Sequence, residues 1–75
     1  MRSKTYDIPV LIERDENNIL IGTAVGMPGC HTYAKNLSTL LRRMKEAIEL
    51  WIEDHDEEIP SNKFVGLTEL EITRR

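Results

Sequence analysis

Between Thr5 and Arg14 the chain alternates, with Tyr6, Ile8, Val10 and Ile12 on one side and Asp7, Pro9, Leu11 and Glu13 on the other. A period of two predicts a half-buried strand, and Pro9, which has no N–H to donate, places part of it at a sheet edge or bulge. Asp15-Glu16-Asn17-Asn18 follows. Its asparagines tolerate positive φ, so this polar cluster predicts a tight hairpin turn. From Ile19 to Gly26 a second strand sets Ile19, Ile21, Thr23 and Val25 against Leu20, Gly22 and Ala24. Both faces are apolar or small: one should meet the core, and the other is free for a second subunit or for a closely packed backbone. Gly26-Met27-Pro28-Gly29 breaks the alternation as a turn or bulge, and Cys30–Tyr33 reads as a short third strand.

The pattern then changes period. Asn36 is placed to cap a helix, and Leu37, Leu40, Leu41, Met44, Ala47, Ile48, Trp51 and Ile52 recur at spacings of three and four. They predict one apolar stripe lying on a sheet. The opposite side carries Arg42, Arg43, Lys45, Glu46, Glu49 and Glu53. The helix should fray near Asp54 to Asp56, since acidic groups sit badly beside the negative end of the helix dipole. Pro60 bars its continuation. Alternation returns from Phe64 to Thr73, with Phe64, Gly66, Thr68, Leu70 and Ile72 against Val65, Leu67, Glu69 and Glu71. This predicts a fourth strand. The expected class is α+β, ordered β-β-β-α-β: an antiparallel meander, one long amphipathic helix packed on one face, and a strand returning to the sheet.

Length sharpens this. A chain of 75 residues buries only about 60% of its unfolded surface, so a single domain over residues 1–75 is expected. Small cores without disulfides or metals often gain stability by association, which makes a homodimer or higher homo-oligomer a fair expectation. Cys30 is the one cysteine. It allows no intrachain disulfide and fits a reducing, cytoplasmic setting. No secretion signal or membrane-spanning run is apparent. The formal net charge of −3 disfavours a domain holding nucleic acid through phosphate contacts. It suits a basic protein partner.

Candidate chemistry is sparse. Cys30 beside His31 invites a metal or nucleophile reading, but a metal needs three or four ligands and the only other histidine is His55. Strand neighbours also point to opposite faces. A buried cysteine next to an exposed histidine is the better reading, with no metal and no cofactor. Asp7 and Glu46 are the nearest approach to the acidic set of a two-metal nuclease, yet no third or fourth carboxylate plainly joins them. Catalysis is not expected. Trp51 lies on the apolar stripe and reads as core, with an interface anchor as the alternative. Between residues 46 and 58 there are several carboxylates and no lysine or arginine. Glu46, Glu49, Glu53, Asp54, Asp56, Glu57 and Glu58 are therefore the candidate surface for a basic partner, against the plainer reading of a solvated helix end.

The order of features carries a resemblance. A hairpin, then Met27-Pro28-Gly29-Cys30-His31-Thr32, then a polar cap and a helix containing Met44-Lys45-Glu46-Ala47-Ile48-Glu49-Leu50-Trp51 resembles the N-terminal domain of HicB antitoxins. That domain shows a proline-glycine-cysteine turn, a short strand and a helix with a lysine-glutamate-alanine segment. The likeness spans roughly residues 6 to 59, and Pro28, Gly29 and Cys30 are its structural turn motif. It implies a partial ribonuclease H-like fold without ribonuclease H activity, and inhibition of HicA, a small basic RNA-cleaving toxin. Family members usually place a glycine, a polar or acidic residue and a threonine cap before the helix, where this chain reads Ala34-Lys35-Asn36. Longer members continue into a DNA-binding module, and with the sequence stopping at Arg75 no operator binding is expected. The alternative function is a self-associating module without a toxin. A metal-dependent nuclease ranks last.

Overall fold

The computed structural model describes residues 5–55 and 59–74. Strands β1 (Val10–Arg14), β2 (Leu20–Ala24) and β3 (His31–Ala34) precede one helix, α1 (Leu37–Asp54). The strands form an antiparallel meander in the order β1-β2-β3, so the protein is α+β.

The β1–β2 turn is built as its sequence suggests. Asp15 Oδ1 accepts from the Asn17 N–H at 2.8 Å and the Ile19 N–H at 3.0 Å. The Asn18 N–H donates to the Asp15 carbonyl at 3.1 Å, and Asn18 takes φ 64°. A short turn closed by a left-handed residue is the usual three-residue hairpin, and asparagine is among the few side chains that tolerate that φ.

The register pairs Val10 with Ala24, Ile12 with Gly22, Leu20 with Ala34 and Gly22 with Thr32. One face of β2 therefore presents Leu20, Gly22 and Ala24 to the helix. A side chain at Gly22 would place its Cβ 2.9 Å from Met44 Cγ and 3.0 Å from Met44 Sδ, so Met44 occupies the space that glycine leaves. Leu40 and Met44 sit above, both fully buried, and Leu20, Ala24, Met27, Cys30 and Ala34 complete the core. Asn36 caps the helix, its Oδ1 accepting from the Thr39 N–H at 2.9 Å.

Four expectations need correction. β1 begins at Val10, not Thr5: past Ala24 the chain turns away at Gly26 (φ 82°), and only the Val25 N–H to Pro9 carbonyl bond, 2.9 Å, carries the ladder one residue further. The third strand is shifted by one, because Cys30 closes the preceding turn. The stripe of α1 is wider than its contact with the sheet, since the helix lies over β2 and β3 and leaves Leu37 and Leu41 about half exposed. The fourth strand is absent: residues 64–73 form no strand, are exposed throughout, and lie beside no sheet edge that pairs with them.

Candidate functional site

Pro28, Gly29 and Cys30 belong to a pair of successive turns joining β2 to β3. The Met27 N–H donates to the Ala24 carbonyl at 3.3 Å and the Cys30 N–H to the Met27 carbonyl at 3.0 Å. In each turn the third residue is a glycine at positive φ, Gly26 at 82° and Gly29 at 81°. Pro28 followed by such a glycine is the type II pattern. Met27 and Cys30 point into the core while Pro28 and Gly29 stay on the surface.

The Pro28 carbonyl accepts from Trp51 Nε1 at 3.0 Å, and Trp51 stacks on His55 with centroids 4.2 Å apart. His55 Nδ1 lies 2.9 Å from the Trp51 carbonyl. The motif thus clamps the end of α1 onto the sheet. Trp51 is half-buried, packs against the edge of the core and also braces this turn. That pairing could not be read from the helical spacing.

Cys30 is buried and His31 exposed on the other side of the chain. Burial pushes the Cys30 thiol above its ordinary pKa, which keeps it protonated and unreactive at neutral pH. Asp7 and Glu46 do not converge. Asp7 lines a depression with Pro9, Val25, Pro60 and residues 62–67, and Glu46 stands exposed on the helix. Among the described residues no group of three or more His, Cys, Asp or Glu side chains is placed to hold a metal.

Of the candidate acidic residues, Glu46, Glu49, Glu53 and Asp54 are exposed on α1; Asp56, Glu57 and Glu58 lie outside the described residues. Glu46, Glu49 and Glu53, at spacings of three and four, share one face. It lies opposite the one that buries Leu40 and Met44. No basic residue occupies the last turn of α1, and Glu53 and Asp54 stand beside the negative end of the helix dipole.

Beside this face lies a feature the sequence pattern did not reveal, an open groove of about 670 Å³ between α1 and β1. Tyr6, Ile8 and Val10 line one side, Leu41, Ile48 and Ile52 the other, and the charged side chains in its lining are Lys45 and Glu49. The width of the helical stripe was the available signal, because a helix with more apolar residues than one sheet contact needs has a flank left over.

The fold defines a class, a small α+β protein with one helix over a three-stranded antiparallel meander. The comparisons give the family: the chain belongs to the UPF0150 proteins. It is 38% identical over 63 residues to a UPF0150 protein of Archaeoglobus fulgidus, covering 84% of this chain and 90% of the relative. A Synechocystis member is 36% identical over 58 residues, covering 77% and 83%, and a Thermotoga maritima member 35% over 63 residues, covering 83% and 84%. None of these names states an activity or a partner. No family model matches the chain, and no solved structure matches it significantly. Among the described residues no helix is long and apolar enough to cross a membrane.

Proposed function

We propose that the protein is a HicB-type antitoxin, or a descendant of one, that binds and inhibits a small basic RNA-cleaving protein of the HicA type. The observation that carries this reading is the acidic face of Glu46, Glu49 and Glu53, which borders an open apolar groove through Glu49. Lys45 also lines the groove, so its rim is mixed there; the surplus of carboxylates toward Glu53 suits a basic partner, with the groove contributing affinity and the carboxylates rate and selectivity. Carboxylates at the C-terminal end of a helix cost it a few tenths of a kcal/mol each, a cost that a cationic partner removes. The resemblance over the Pro28-Gly29-Cys30 turn and the Lys45-Glu46-Ala47 helix supplies the partner class.

The test is co-expression and titration calorimetry against a short basic protein encoded beside this one. A complex that weakens at least about tenfold when Glu46, Glu49 and Glu53 are replaced by lysine supports the reading. No complex with the parent chain sinks it. A second reading, a self-associating module without a toxin, is favoured by the exposed apolar residues after Lys63.

A further inference from the structure

Residues 64–73 hold a strand-like sequence with no sheet around it. Val65 is 94% exposed and Leu70 78%, and Phe64, Leu67 and Ile72 are also open to solvent. The segment starts alongside its own body, where Pro60 meets Gly26 and residues 62–67 pass Asp7 and Pro9, and then continues without burying its side chains. The radius of gyration is 14.6 Å, against about 11 Å for a compact chain of this length, and the longest dimension is 56 Å. An exposed apolar segment with a strand-like sequence is an invitation to pair with another chain.

The same molecule carries a place to receive such a strand. The ladder bonds of β1 run from alternate residues: the Pro9 carbonyl accepts from the Val25 N–H, and the Asp15 N–H donates to the Ile19 carbonyl. In an antiparallel pair this directs the backbone groups of Leu11 and Glu13 toward β2 and those of Val10, Ile12 and Arg14 outward. At the other edge, Arg43 Nη1 donates to the Tyr33 carbonyl at 2.8 Å, which partly closes β3. The more open edge is β1, and above it lies the groove lined by Val10, Leu41, Ile48 and Ile52. Ten extended residues span about 33 Å, ample for a five-residue strand of about 17 Å.

We infer that two copies of this chain exchange their 64–73 segments, each adding as a fourth strand to the β1 edge of the other with Leu70 and Ile72 turned into the groove. Donor segment and acceptor edge belong to one sequence, so a two-fold exchange satisfies both at once and closes the assembly. A foreign partner would leave one of them open. This inference does not rest on the toxin reading and would survive its failure, but both place an occupant in the same groove, so a toxin would have to displace the exchanged strand and the test is read on this chain alone.

Sedimentation over a concentration series, combined with isotope-filtered NMR on a mixture of labelled and unlabelled chains, tests it. The expected result is a dimer with intermolecular contacts between residues 64–73 and Val10–Arg14. Leu70→Lys with Ile72→Lys should raise its dissociation constant about 100-fold or more while leaving the circular dichroism of the body unchanged, since both side chains are exposed in the single chain. A monomer, with the segment either free or paired to its own β1, overturns the inference. So does a dimer that the double substitution leaves intact.

Discussion

The two flanks of the sheet differ in how they are finished. On the β2–β3 side every device points inward: Met44 fills the space over Gly22, the successive turns bury Met27 and Cys30, and Trp51 ties the end of α1 to Pro28. On the β1 side no further strand pairs with the edge among the described residues, the helix leaves Leu41 half exposed, and the groove is open. Both flanks belong to one helix and one sheet, so the difference lies in where the helix was set down. The closed side holds the fold; the open side is available to partners.

Neighbouring leucines on α1 put this contrast to the test most severely. Leu40→Ala should cost about 2–5 kcal/mol, the usual range for emptying a fully buried leucine site. Leu41→Ala, at a site half open to solvent, should cost less than about 1 kcal/mol in the isolated chain. Urea denaturation of both variants, at a concentration low enough to keep the chain monomeric, reads the difference, and equal losses there would mean that the two flanks do not differ in packing.

Gly29→Ala should cost about 1–2 kcal/mol, because φ 81° penalises any Cβ even though nothing lies within 4 Å of it. A loss of similar size with Trp51→Phe, about 0.5–1.5 kcal/mol for the missing N–H bond to Pro28, would identify turn and helix end as one clamp. A null result at Gly29 would reduce the motif to a passive connection.

The smallest effect is on pH. The Cys30 thiol is raised in the fold, so the unfolded chain ionises first, and the folded state keeps a proton that the unfolded state has lost. The Cys30 contribution to stability is therefore constant below the ordinary thiol range, about pH 8.5, and declines as pH rises above it. Denaturation midpoints between neutral and alkaline pH should show this slope in the parent chain and lose it in Cys30→Ala.

What was legible in the sequence follows the same division. The hairpin at Asn18, the close packing over Gly22 and the cap at Asn36 are local, and each is decided by a residue whose own stereochemistry or hydrogen bonding selects the conformation. The three-stranded meander with its long helix followed from periodicity. The alternation of 64–73 was equally plain, yet alternation reports only that a segment suits a sheet, not which edge it will find. Residues 5–9 failed for a related reason, since a strand exists only where a neighbour lies opposite. The groove was hidden because helical spacing tells which side of α1 is apolar and not how far across the sheet the helix lies. Of the acidic candidates, Glu46, Glu49 and Glu53 share one face by simple helical geometry, but the groove beside Glu49 depends on tertiary placement.

The most direct test of the proposed role is an RNA-cleavage assay in which a basic HicA-type ribonuclease encoded next to this protein is titrated with it. Suppression should be complete near equimolar ratio and be lost when Glu46, Glu49 and Glu53 are changed to lysine; undiminished cleavage at a large excess of the parent chain would contradict the account.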